Sequence, residues 1–323
     1  MPSDKTSVTS LFPARFQAVL LPAVGAFFMV YGLYVVICAL QGSLLDTDLT
    51  FLGKGAALFA LKPGGDQVTL FLLHNRLAFG GTLFILGVLF IWMTAVPLKQ
   101  GYSWAWWLCT FSGSVVSVSM ALLIVYRSGP GWQLALASVP GVILIPGLAG
   151  SRSQVLGVDR PGVLWDRGFL PGPRSRYGVG RLMILLASFA LFIGGLSVAW
   201  SGVTGVMVPL DLEHNGIGLG RIQALSPRLM DLIRQDGLVL GSVVSLTGFL
   251  LFFVTWCSPS SGSFYSVLVI IFAAGTAITL FQHFFIGHQH PMFYVSAYLR
   301  LALLGGGLAL MTPAFLKQRG SKP

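Results

Sequence analysis

Apolar residues in this chain come in long, nearly unbroken runs, with neither the alternation of a half-buried strand nor the two-sided stripe of a surface helix. The runs fall at roughly 16–40, 77–98, 104–126, 132–149, 181–207, 238–257, 264–286 and 292–313. A run of 18 or more apolar residues is long enough to cross a bilayer as a helix, because about 20 residues at 1.5 Å rise span the hydrocarbon core. Helices are the natural choice, since each unpaired backbone group in lipid costs several kcal/mol. A barrel would need short alternating strands, and that alternation is missing. The pattern predicts an all-α integral membrane protein with eight transmembrane helices. The first run is too long for a signal-peptide core and recurs in the second half, so it is read as a helix.

The runs also repeat as a group. Residues 16–150 and 181–313 each show one apolar run, a polar loop, then three further apolar runs. The loops, 41–76 and 208–237, begin and end alike. Asp48-Leu49-Thr50-Phe51-Leu52-Gly53 stands where the second half has Asp211-Leu212-Glu213-His214-Asn215-Gly216. His74-Asn75-Arg76, followed by Gly80-Gly81, stands where the second half has Gln235-Asp236-Gly237, followed by Gly241-Ser242. The offset is 163 from Asp48 to Asp211 and 161 from Asn75 to Asp236. This predicts two four-helix membrane repeats, 1–150 and 181–323, joined by the basic linker 151–180. An even number of spans per repeat makes the two parallel, related by an axis along the membrane normal. Ser226-Pro227 before Leu229, Leu232 and Ile233 predicts a short amphipathic helix lying at the outer interface.

Composition agrees with this reading. The chain has 323 residues, 55% of them hydrophobic and 9% charged, where a soluble domain carries about 25% charged. Mean hydropathy is +0.81. The net charge of +10 is unevenly placed. A cytoplasmic N-terminus puts Lys5, Arg15, Lys99, Arg152, Arg160, Arg167, Arg174, Arg176, Arg181, Lys317, Arg319 and Lys322 inside, the majority of the 20 basic residues. That bias predicts cytoplasmic termini in a bacterial inner (plasma) membrane, with contact to anionic lipid. Nucleic acid is not an expected partner, since no clustered basic reading face is present. Cys38, Cys109 and Cys257 are scattered, so neither a disulfide nor a thiolate metal site is expected. Trp104, Trp106, Trp107 and Trp256 read as anchors in the membrane's aromatic belt.

Ionisable groups at membrane depth are costly and mark candidate sites. Arg300 is the clearest, two turns into the eighth run with no acidic residue inside any predicted span. Asp236, Asp231 or Glu213 is its expected partner, or else an anionic ligand. Asp48, Asp211, His74 and Arg76 join Asp236, Arg300 and His283 as candidate ligand-binding residues, because the predicted topology gathers them on the outer face. His283, His288 and His290 form a candidate metal set, as imidazole beside carboxylate suits zinc, copper or iron. The same histidines also suit the plain role of capping helix ends. Bis-histidine haem needs imidazoles on facing helices, and only His283 is placed in one. Neither a nucleophile elbow nor a phosphate or dinucleotide loop is present.

On these residues the second half resembles a widespread group of uncharacterised bacterial integral membrane proteins. Their pattern has a proline-aspartate loop start, a His-Asp-Arg-like helix entry followed by glycines, and a late histidine before a glycine-containing outer turn. Here it reads Val208-Pro209-Leu210-Asp211, Gln235-Asp236-Gly237, and His283 with Gly287; the first half supplies Asp48 and His74-Asn75-Arg76. Gln235 and Gly237 replace the pattern's histidine and arginine. His288 and His290 stand where the pattern has tyrosine and aspartate. The resemblance implies no particular activity.

The leading functional expectation is a non-catalytic membrane subunit or binding protein. It would contact other membrane subunits, lipid, or a lipophilic cofactor such as pigment or quinone, in a respiratory or photosynthetic assembly. A secondary transporter with its site at the repeat interface is the alternative, disfavoured by the lack of an acidic residue within a span. A metal-dependent enzyme acting on lipid at the outer face is the third.

Overall fold

The structure is a computed structural model describing residues 14–45, 48, 65–126, 131–152, 155, 161–166, 168, 172, 174–205, 226, 228–285 and 291–320. These residues form eight α-helices: α1 (Ala14–Leu40), α2 (Gly65–Ala95), α3 (Ser103–Tyr126), α4 (Gly131–Ser151), α5 (Arg176–Thr204), α6 (Leu229–Cys257), α7 (Gly262–Phe285) and α8 (Pro291–Gly320). A short 3-10 helix, Pro161–Trp165, lies between α4 and α5. No strand occurs among the described residues. Six helices, α1, α2 and α5 to α8, are long and apolar enough to cross a membrane. Their outward faces carry exposed Val30 and Leu33 on α1, Leu186 and Phe189 on α5, and Val295 and Leu299 on α8. Such apolar exteriors suit lipid and not water. The chain is a multi-pass helical membrane protein.

Local chemistry sets the helix ends. Ser175 caps α5 by accepting a hydrogen bond from the Gly178 amide, and α5 stops at Gly205, whose φ of 70° is left-handed, a conformation that glycine adopts without steric penalty. The Ser261 hydroxyl accepts from the Phe264 amide at the start of α7. Pro291 opens α8, where its missing amide has no intrahelical partner to lose.

Packing has the same plan in each half. In the first, α1 packs mainly on α2 and also on α4, and α3 packs on α4. In the second, α5 packs mainly on α6 and also on α8, and α7 packs on α8. The halves meet where α2 touches α6 and α7, and where α6 touches α3. The main pair in each half closes on small residues. A Cβ on Gly32 would lie 2.5 Å from the Gly80 carbonyl oxygen, and one on Gly87 would lie 2.6 Å from the Gly25 carbonyl oxygen. Gly195 faces the Gly241 carbonyl, Gly202 faces the Arg234 carbonyl, and Gly248 faces the Ser188 carbonyl. Small residues let helix backbones approach this closely, which is how helices associate in lipid.

The structure corrects three expectations. First, α2 begins at Gly65 instead of near 77, and α6 begins at Leu229 instead of near 238. Residues 65–76 and 229–237, expected in loops, are therefore helical. Second, the expected interfacial helix is the first turn of α6, with Leu229, Leu232 and Ile233 buried in the bundle. Third, Trp104 and Trp106 are buried instead of anchoring at the surface. Trp106 donates from Nε1 to the Leu148 carbonyl at 3.1 Å, tying α3 to α4, and Trp104 lies 6.5 Å from the Trp92 ring. Trp106, buried with its N–H satisfied, contributes packing area at little polar cost.

Candidate functional site

The longer α2 and α6 carry charge into the bundle. Arg76 stands eight residues past Val68, where the apolar span of α2 starts, and Asp236 stands seven past Leu229. At 1.5 Å rise per residue that is about 10–12 Å along each helix. Helices survive with charge at this depth when the charge is paired and hydrogen-bonded.

The three groups that meet come from three parts of the chain. Asp48 follows α1, Arg76 lies on α2 and Asp236 lies on α6. Their exposures are 1%, 7% and 4%. Arg76 donates from Nε to Asp48 Oδ2 at 2.9 Å and from Nη2 to Asp48 Oδ1 at 2.8 Å. The same Nη2 donates to Asp236 Oδ1 at 2.6 Å. The first pair is a two-pronged fork, the geometry in which guanidinium and carboxylate bind most specifically. Asp236 is held by one hydrogen bond from Arg76. With all three ionised the joint carries a formal charge of −1.

Asp236 belongs to the second half and Arg76 to the first, so the joint ties the halves together. The aligned motifs explain why it is single. The first half has Asn75-Arg76, the second Asp236-Gly237. Each motif lacks the charge the other supplies. This complementarity is a sequence signal that could have pointed to the pair.

His283 lies near the same level. The Gly81 position on α2 faces the Ile278 side chain of α7. Arg76 is five residues before Gly81, and His283 is five after Ile278 on the antiparallel neighbour. His283 is buried and stacks on Tyr298 of α8, with ring centroids 5.9 Å apart and planes 23° apart. His74 is half-buried and Asn75 buried, both on α2 beside Arg76.

Arg300 is not brought into this group. Its Nε donates to the Ser296 carbonyl at 3.1 Å, one turn back on α8. Asp236, one of its expected partners, is engaged by Arg76, and Asp231 is exposed in the first turn of α6. Among the described residues no carboxylate comes within ion-pair distance of Arg300. Asp211, Glu213, His288 and His290 lie outside the described residues. Among those described, no three His, Cys, Asp or Glu side chains gather to hold a metal ion.

The opposite end of the bundle holds a second buried cation that sequence reading placed in the cytoplasmic charge. Arg181, on the second turn of α5, is 0% exposed. It donates from Nη2 to the Ser258 carbonyl at 2.7 Å. Its guanidinium carbon lies 4.6 Å from the Phe264 ring centroid and 5.5 Å from that of Tyr177, within range of attraction to the ring faces. The 3-10 helix docks beside it. Trp256 donates from Nε1 to the Trp165 carbonyl at 3.2 Å, and the Gly168 amide donates to the Trp256 carbonyl at 3.1 Å.

No family model, curated protein or solved structure matches the chain. The short-motif resemblance noted from sequence therefore attaches no family to it.

Proposed function

We propose that the chain is a proton-coupled secondary transporter whose coupling element is the Asp48–Arg76–Asp236 joint. The observation that carries this reading is a titratable carboxylate, Asp236, buried in a span at the contact between the halves. Transporters built from repeats hold their sites at such interfaces. An ionisable residue inside a span is a functional candidate by default. The sequence-level objection, that no acidic residue lies within a span, falls with the true start of α6. One proton on Asp236 would neutralise the joint's single net negative charge and loosen its bond to Arg76 across the halves. That makes Asp236 the proton acceptor, with Asp48 held in the fork to Arg76.

The reading includes eight spans in two parallel repeats, both termini cytoplasmic, in a bacterial inner membrane. The matching packing plans of the two halves support the repeat. So does the glycine seam. At the offset of 163, Gly25, Gly32 and Ala39 of α1 align with Ser188, Gly195 and Gly202 of α5; at 161, Gly80 and Gly87 of α2 align with Gly241 and Gly248 of α6. On this topology the Arg76 end faces outward. The test is reconstitution into liposomes holding a pH-sensitive dye, challenged with amino acids, sugars and organic anions in turn. Proton movement elicited by one class, and lost in Asp236→Asn, supports the reading. Silence across all classes in the wild type would sink it.

One observation favours the membrane-subunit reading as second choice. Trp200 of α5 and Leu299 of α8 are exposed on the apolar exterior near the Arg76 end, a surface on which a partner helix, pigment or quinone could pack. Gentle-detergent purification with co-purifying subunits or a bound chromophore would move the weight there.

A further inference from the structure

Arg300 is a cation on an apolar, exposed helix face, outside the joint described above. Its neighbours Val295 and Leu299 are 65% and 57% exposed, and Ser296 and Tyr298 are exposed beside them. The bond to the Ser296 carbonyl turns the guanidinium back along α8, towards the Arg76 end of the bundle. This is the direction in which a long basic side chain reaches for the membrane surface. Arg300 is nine residues from Pro291, where α8 starts, so its α-carbon is about 13 Å along the helix from that end.

The neighbouring helix leaves this face open. α5 and α8 are in close contact at Gly180 and Gly307, where a Cβ on Gly180 would lie 2.6 Å from the Gly307 carbonyl oxygen. Further along the same side of α5, Val198 is exposed and a Cβ on Gly194 would meet nothing within 4 Å. The two helices are thus sealed at one end and bare towards the other. The bare part combines apolar walls with one basic group that no described carboxylate neutralises.

We propose that this flank of α8 binds an anionic phospholipid from the leaflet at the Arg76 end. The phosphate sits on the Arg300 guanidinium and an acyl chain lies along Val295, Leu299 and the exposed face of α5. Charge complementarity selects the headgroup, because an arginine fork matches phosphate oxygens and is worth most where water is excluded. The apolar walls select a lipid over a soluble phosphate. The proposal does not depend on transport.

The test uses the full chain in nanodiscs of equal phosphatidylglycerol and phosphatidylcholine. Native mass spectrometry then counts the lipid retained on release. The wild type is expected to retain phosphatidylglycerol preferentially. Arg300→Gln is expected to lower that retention about tenfold, equivalent to ~1.4 kcal/mol, while Arg300→Lys keeps part of it. Equal retention in a folded Arg300→Gln protein overturns the proposal. So does a retained ratio near one in the wild type, a result available even if the variant does not fold. A third arm adds soluble glycerol 3-phosphate; displacement of the lipid at matched concentration would make this a free-phosphate site and overturn the lipid assignment.

Discussion

Gly32→Ala tests the helix contact on which the first half depends. The added methyl carbon would lie 2.5 Å from the Gly80 carbonyl oxygen and 2.6 Å from the Phe84 nitrogen. Both are backbone atoms, so no side chain can swing aside. Ordinary carbon contacts begin near 3.5 Å, so α1 and α2 must part by about 1 Å. Overpacking of this kind costs about 1–3 kcal/mol. Alanine recovers about 0.5–1 kcal/mol through its better helix propensity, leaving a net loss of about 1–2 kcal/mol. The matched control is Gly194→Ala on α5, where the new carbon meets nothing within 4 Å. That change keeps only the propensity gain, so its sign is opposite. At about 1.5 °C per kcal/mol for a chain of 323 residues, Gly32→Ala lowers the melting temperature by roughly 2 °C and Gly194→Ala raises it by about 1 °C. Fluorescence-detected thermal unfolding in one detergent reads both. A Gly32→Ala protein melting at or above the wild type would refute the packing argument.

Other consequences follow from the buried cations. Arg76→Lys keeps the charge but loses the fork to Asp48, so thermal unfolding should show a loss of about 1–3 kcal/mol, because ammonium cannot replace a two-pronged guanidinium. Arg76→Met leaves two carboxylates without their cation and should cost about 3–5 kcal/mol in the same assay. At the other end, Arg181→Ala opens a cavity between Tyr177 and Phe264 and strips the Ser258 carbonyl of a donor; a loss of about 3 kcal/mol is expected. Trp106→Phe keeps the ring but removes the bond to the Leu148 carbonyl, for a loss of about 1 kcal/mol by denaturant titration.

Spans that are apolar throughout were read from sequence almost to the residue. α3 was expected at 104–126 and runs Ser103–Tyr126; α7 was expected at 264–286 and runs Gly262–Phe285. The starts of α2 and α6 were missed because of the residues that matter most. Asp66, His74 and Arg76 on α2, and Asp231, Arg234 and Asp236 on α6, depress hydropathy over several turns, and a hydropathy reading ends the span there. The helices continue because Arg76 is paired with both Asp48 and Asp236 inside the bundle, a fact held in tertiary structure. The same error hid the joint, since it put both partners in loops. It also left Arg300 as the apparent intramembrane charge in search of Asp236. Individual site residues were nevertheless legible: Asp48, Arg76 and Asp236 were all candidates because the predicted topology gathers them on one face. Their mutual contact was not, because a topology shows which residues share a face and not which ones touch. The tryptophans failed for a related reason. Indoles at a helix end look alike in sequence whether they face lipid or, as Trp104 and Trp106 do, a neighbouring helix.

The most direct test of the joint is a double-mutant cycle on Arg76 and Asp236, using Arg76→Met, Asp236→Asn and the combined protein, each unfolded in the same detergent. Asp48 stays in place throughout, so its own loss of a partner cancels from the cycle. A coupling of about 2 kcal/mol or more is predicted, at the upper end for residues in direct contact. Losses that add to within about 0.5 kcal/mol, as for distant sites, would contradict a charged joint between the two halves.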